Sequence, residues 1–390
     1  MNGSERKRLR TGWVVTAAGF GINVLVGISY TWSIFSQDLV LRHGWRHSTA
    51  ALPYTIYLVC YALSMIPAGT LQDRIGPRMV ILLGGALGGT GFLLSGLWIN
   101  PTTVPLFWGG MVGCGMACCF AAVTPAAMSW FPPRRRGLIS GIVVTGVGIS
   151  AFVLAPAVSA VVGRGVRFAF VVCGVTLWAG IGLLSTQVRA APDGTRRRES
   201  TSAAIATVRS AAFVRFWLTF LCMTAVGVTV VTHVTEIMRV HTGAHRAALS
   251  VAIFAGSNGL GRISGGVLAD RLGRATAIQV VIGGLLAGLV GMLSAAEPAL
   301  MLAAISVVGL SYGAIFGVFP AATAEFFGPE SFGLKYGIVF SAIAVSGTFP
   351  WLAGLLFERF ASFAPALLVL VAMCAGALAL SHTLPGRESR

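Results

Sequence analysis

The chain has 390 residues, of which 56% are hydrophobic and only 10% charged, and its formal net charge is +16. Such a composition excludes an ordinary soluble globular domain and implies a polytopic membrane protein. The positive excess would suggest a nucleic-acid partner in a soluble chain; here it has to be read against a bilayer, and no nucleic acid is implied.

Crossing ~30 Å of hydrocarbon takes ~20 apolar residues. Twelve such stretches follow one another, near residues 12–38, 47–70, 79–98, 102–129, 138–163, 166–187, 213–240, 247–270, 275–295, 298–324, 336–357 and 363–384. The first follows a basic start (Arg6, Lys7, Arg8, Arg10). It is too long for a signal-peptide core and has no small-residue cleavage site behind it, so a retained helix is expected. The second carries Tyr54, Tyr57 and Tyr61 at i, i+3 and i+7, one stripe that either packs or lines a cavity. Pro125 in the fourth and Pro320 in the tenth are expected to bend their helices. Pro350 and Trp351 mark a possible kink or gate in the eleventh.

One extended polar segment, residues 188–212, divides the chain into an N-terminal half, 1–187, and a C-terminal half, 213–390, of six spans each. The halves repeat. Gly69-x-Leu71-x-Asp73-Arg74-x-Gly76 recurs as Gly266-x-Leu268-x-Asp270-Arg271-x-Gly273, 197 residues later. Pro125-Ala-Ala recurs as Pro320-Ala-Ala, and Gly137-Leu-x-x-Gly141-Ile-Val as Gly333-Leu-x-x-Gly337-Ile-Val. Three landmarks at nearly one period indicate a duplicated six-helix unit. In each Asp-Arg element the glycine permits close helix contact, the aspartate sits near helix termini and the arginine anchors the turn. Asp73, Arg74, Asp270 and Arg271 are therefore read as a conformational latch.

Placing both termini in the cytoplasm puts twenty Lys and Arg on the inner side and seven on the outer. The remaining cation, Arg262, lies inside the eighth span, about 15 residues from its outer end and about 8 from its inner end at ~1.5 Å each. A guanidinium in hydrocarbon costs ~2.5–3.5 kcal/mol on insertion scales, so it is matched to an anion or faces water. None of the twelve acidic residues is expected at that depth. Asn258, one turn earlier, shares its face, so a carboxylate held by the guanidinium could have its second oxygen substituent reached by the amide. The seven cysteines all fall in spans without histidines at metal spacing, and no nucleophile and base are paired. Neither a metal, a cofactor nor an enzyme is expected. His233, within Val231-Thr-His233-Val-Thr-Glu236 of the seventh span, is the one histidine placed inside a span and a proton-coupling candidate, the alternative being an interfacial polar cluster.

The two Asp-Arg loops resemble the major facilitator superfamily over the whole chain. This implies an all-α membrane protein of twelve transmembrane helices in two pseudo-symmetric six-helix halves, worked by rocking. Gly27-Ile-Ser-Tyr30-Thr-Trp32, Asn258-x-x-x-Arg262, Tyr312 and Trp130-Phe131-Pro132 resemble its oxalate/formate antiporter and monocarboxylate porter group. The resemblance implies Arg262 as carboxylate clamp, Asn258 as its polar partner, and Tyr30 and Tyr312 as gate or wall. Two departures refine it. Ile343 stands where the oxalate carrier has a second cation, a lysine, which favours a monocarboxylate such as lactate or pyruvate over a dicarboxylate. Phe120 stands where the group often has tyrosine, which makes the cavity more apolar and suits a methyl or short alkyl end. Asn258 itself replaces an acid of the animal monocarboxylate carriers that is thought to take part in proton coupling. The expectation is a cytoplasmic-membrane carrier, functional as a monomer, that moves a small monocarboxylate with a proton. Anion exchange of the oxalate/formate type is the alternative, and drug efflux a weaker one.

Overall fold

The computed structural model describes residues 3–45, 47–191, 201–243 and 247–384, and among them it is helical, with no strand. The apolar runs become α1 (Gly3–Val26), α2 (Trp32–His43), α3 (His47–Ile75), α4 (Pro77–Leu97), α5 (Gly113–Met128), α6 (Arg136–Val162) and α7 (Val166–Ser185). After the linker come α8 (Thr201–Arg209), α9 (Ala211–Thr242), α10 (Ala247–Leu272), α11 (Arg274–Ser294) and α12 (Pro298–Phe327). The chain closes with α13 (Phe332–Ser346), α14 (Phe349–Phe360) and α15 (Ala364–Ser381).

Three expected spans are not single regular helices. The first is interrupted by a 3-10 turn at Gly27–Thr31, between α1 and α2. The fourth opens with a π-helical turn, Pro105–Val112, which contains Gly109 and Gly110. The eleventh parts into α13 and α14 at Gly347 and Thr348, immediately before Pro350. Pro125 and Pro320 lie within the continuous helices α5 and α12. Part of the expected linker, 192–200, is outside the described residues, and its end forms the short helix α8.

Among the described residues, eleven segments are long and apolar enough to cross a membrane. The expected eighth span, α10, is not among these eleven although it is 26 residues long. The physical reason is its polar content: Asn258, Arg262, Asp270 and Arg271 all lie on it.

The chain divides into two compact units. The first comprises Met1–Phe131, Val143–Arg198 and Glu330–Gly337; the second comprises Pro132–Ile142, Glu199–Pro329 and Ile338–Arg390. The first turns of α6 thus belong to the second unit, and those of α13 to the first.

Aromatic side chains dominate the core of the first unit. The Trp108 ring lies 4.1 Å from Trp32 and 5.3 Å from Tyr57, and Phe35 stacks on Phe170 at 4.9 Å. The tyrosine stripe stacks along α3, with Tyr54 to Tyr57 at 5.9 Å and Tyr57 to Tyr61 at 5.7 Å. In the second unit, backbone contact organises α10 and α12. A Cβ on Gly313 would collide with the Asn258 carbonyl, and one on Gly317 with the Arg262 carbonyl. Small residues let membrane helices approach this closely. The seven cysteines are free thiols.

Candidate functional site

Arg262 is 15 residues from the start of α10 and 10 from its end, and is only 5% exposed. Its Nε donates to Asn258 Oδ1 at 3.2 Å, within one turn of the same helix. The guanidinium carbon lies 5.0 Å from the centre of the Phe316 ring, a cation–π contact from α12. Phe316 is itself held by Tyr312 at 5.3 Å, Phe340 at 6.3 Å and Phe220 at 6.4 Å, so α9, α12 and α13 all brace the ring on which the cation rests. The backbone is equally constrained: the Arg262 carbonyl is flanked by Gly141 of α6 and Gly317 of α12. Rigid placement of this kind limits the reorganisation an anion would impose on the guanidinium.

Tyr312 lies flat on Gly227 of α9, where a Cβ would enter its ring, and also faces Phe254 at 6.1 Å. The structure therefore brings Arg262, Asn258 and Tyr312 together around Phe316, a residue that sequence reasoning missed. Its signal was available, since Phe316 follows Tyr312 by one helical turn. Ile343, on α13, is half-buried.

The two remaining ligand candidates are in the first unit. Tyr30 sits in the 3-10 turn, is 47% exposed, and lines a cavity of about 570 Å³ with Ser29, Trp32, Ser33, Gln37 and Tyr54. Phe120 is 3% exposed and packs on Tyr61 at 6.2 Å, so it is a covered core ring rather than an open surface.

The latch residues form two helix crossings. In the first unit, Asp73 accepts the amide N–H groups of Gly333 and Leu334 at 3.3 and 3.2 Å, where Gly69 touches Gly333. In the second, Asp270 accepts those of Gly137 and Leu138 at 2.9 and 2.7 Å, where Gly266 touches Gly137. Each carboxylate thus caps the first turn of another helix, α13 or α6, where unsatisfied N–H groups and the helix dipole favour an anion. The arginines following them, Arg74 and Arg271, are exposed. It is Arg274 that engages the carboxylate: Nη1 donates to Asp270 Oδ1 at 2.8 Å, Nη2 to the Pro133 carbonyl at 2.7 Å, and Nε lies 3.2 Å from Glu325. Arg274 and Lys335, each one residue ahead of an expected span, are nonetheless only 5% and 1% exposed. The reason is the same for both, since each stands beside a crossing where helices touch and cover the turn.

His233 is away from Arg262. Its Nδ1 is 3.3 Å from Glu236 Oε2, its Nε2 is 3.0 Å from the Pro350 carbonyl, and its ring is 5.2 Å from Phe363.

Comparison with known proteins agrees with this architecture. The family model of the Major Facilitator Superfamily matches residues 13–350. The chain belongs to that superfamily, and it is accordingly a multi-pass integral membrane protein and a secondary active transporter. It is 31% identical over 333 residues to monocarboxylate transporter 11 of Homo sapiens, covering 79% of this chain and 70% of that protein. It is 23% identical over 336 residues to the oxalate:formate antiporter of Oxalobacter formigenes, covering 84% and 80%. The fold matches the crystal structure of the Escherichia coli fucose:proton symporter FucP with a TM-score of 0.74 at 13% identity, over 94% of this chain and 97% of that one.

Proposed function

We propose that this transporter carries a small monocarboxylate, of lactate or pyruvate size, together with a proton by alternating access in the cytoplasmic membrane. Both termini lie in the cytoplasm in this reading, and one chain suffices. The single observation that carries it is Arg262, a buried guanidinium at mid-helix steadied on one side by the Asn258 amide oxygen and on its face by Phe316. Arg262 clamps the carboxylate; Asn258 orients the clamp and offers its amide to a neighbouring hydroxyl or keto oxygen; Tyr312 walls the site. In the first unit, Tyr30 acts as a gate, and Phe120, covered beside Tyr61, serves as apolar backing. Ile343 supplies no second cation, so a second carboxylate would enter without a partner, which disfavours a dicarboxylate.

Reconstituted carrier in proteoliposomes tests the reading. Uptake of labelled lactate or pyruvate should rise with an inward-directed proton gradient and be lost in Arg262→Ala. Uptake that ignores the gradient, or that persists in Arg262→Ala, overturns it. Exchange of oxalate for formate is the second reading, favoured by the similarity to the Oxalobacter antiporter. Strong trans-stimulation without pH dependence, and thermal stabilisation by oxalate rather than lactate, would select it.

A further inference from the structure

α13 and α14 are joined through Gly347 and Thr348, and the two segments are attached to α9 by different chemistry. α13 is held by groups that keep their protons. Trp217 Nε1 donates to the Ile338 carbonyl at 3.0 Å, and the hydroxyls of Thr224 and Ser346 meet at 2.6 Å, with Ser346 also donating to the Leu221 carbonyl. The hydrogen bond from α9 to α14 runs through His233.

The hydrogen-bonding valence of that ring is informative. Nε2 faces the Pro350 carbonyl at 3.0 Å, and a carbonyl only accepts, so Nε2 carries a hydrogen. Nδ1 faces a carboxylate oxygen of Glu236 at 3.3 Å. A neutral ring would then set its Nδ1 lone pair against an ionised carboxylate, which is repulsive. Donation from both ring nitrogens, to the Pro350 carbonyl and to Glu236, takes one proton more than the neutral imidazole carries. Glu236 is 50% exposed whereas the His233 side chain is 16% exposed.

Resting on the carrier reading above, we propose that His233 and Glu236 are a proton-binding dyad whose proton fastens α14 to α9, and whose loss releases α14 about the Gly347–Thr348 break. Sequence reading singled out His233 alone; the geometry adds Glu236 as the counter-charge and the Pro350 carbonyl as the element that senses the ring. No other described residue forms an ion pair or hydrogen bond with the imidazole. The charged residues of α14, Glu358 and Arg359, come eight and nine residues after Pro350, about 12 Å along the helix. On α9 itself, Arg239 is six residues on and lies on another face, and His241 is beyond it. α12 brings Tyr312 against Gly227, six residues before His233, and α15 brings Cys374 near Cys222. From α10 come Arg262, Asp270 and Arg271, each engaged or exposed as described. Phe363, stacked on Phe357 at 4.5 Å, covers the ring from the α14 side.

Two measurements on the full-length carrier test this. Nitrogen NMR of histidine-labelled protein, with the His233 signals assigned by their absence in His233→Gln, should show both ring nitrogens protonated at pH 7 and a neutral ring in Glu236→Gln. A neutral ring in the unmodified protein, or one that Glu236→Gln leaves unchanged, overturns the dyad. In proteoliposomes, His233→Gln, which can still donate to a carbonyl but cannot titrate, should keep anion exchange at equal pH within about threefold. The same variant should lose the response of net uptake to an imposed proton gradient. A retained gradient response removes the dyad from coupling and overturns the proposal. The readouts separate the two claims: if the carrier moves no monocarboxylate yet the imidazolium depends on Glu236, the substrate reading fails and the proton site stands.

Discussion

The same helix crossing is built twice in this chain, with different chemistry on it. In both copies two glycines touch and an aspartate caps the crossing helix, at 3.3 and 3.2 Å for Asp73 and at 2.9 and 2.7 Å for Asp270. Two turns back, Met65 in one unit and Arg262 in the other each present a carbonyl to a glycine, Gly337 and Gly141. The repeat of 197 residues also sets Tyr61 at the place of Asn258, and Pro77 at the place of Arg274. Backbone packing was therefore kept in both copies, while the Arg262 guanidinium, the Asn258 amide and the Arg274–Asp270 pair belong to the second. Packing of small residues is shared by the two copies; the side chains set upon it are not.

The sharpest way to break this comparison is to exchange the paired residues. Arg262→Ala should lower carboxylate uptake by about 100-fold, since removing one member of a desolvated charge pair costs ~2–5 kcal/mol. Met65→Ala should leave uptake within a few-fold while costing ~2–3 kcal/mol of stability through the cavity it opens. Equal effects on uptake would make Arg262 a packing residue. Next in size, Asp270→Asn leaves Arg274 buried beside a neutral amide and should destabilise the protein by about 3 kcal/mol. Asp73→Asn, where no arginine stands at the place of Arg274, should cost about 1 kcal/mol, the difference being read from thermal unfolding in detergent. The smallest effect is expected from Pro77→Arg, which writes the second unit's pairing into the first. A change of less than ~1 kcal/mol is anticipated, because any gain at the half-buried Asp73 is offset by burying a longer side chain at the buried position 77 and by losing a favourable proline at the start of α4. A stabilisation above ~1 kcal/mol would overturn this ranking.

Much of the architecture was legible because membrane insertion is decided locally. A run of ~20 apolar residues has to be a helix in hydrocarbon, since its backbone polar groups have no other partners. The repeat was legible for a similar reason, since Gly-x-Leu-x-Asp-Arg-x-Gly keeps its spacing wherever the crossing is kept. Arg274 was not legible as the partner of Asp270. Its spacing of four residues was visible, but the first copy has Pro77 at that place, and comparison of the repeats drew attention to the shared Arg74 and Arg271 instead. The burial of Lys335 was not legible because the cover at the start of α13 comes from α3, some 260 residues earlier in the chain.

From residues alone came the helical class, the duplicated halves and the oddity of Arg262, each following from local hydrophobicity, spacing or the cost of a charge in hydrocarbon. Only the tertiary structure decided which side chains meet: Phe316 under the guanidinium, Arg274 on Asp270, and the Pro350 carbonyl on His233. Those pairings join groups on different helices, or depend on a break such as Gly347–Thr348, and contacts of that range are set by how helices pack rather than by any pattern along the chain.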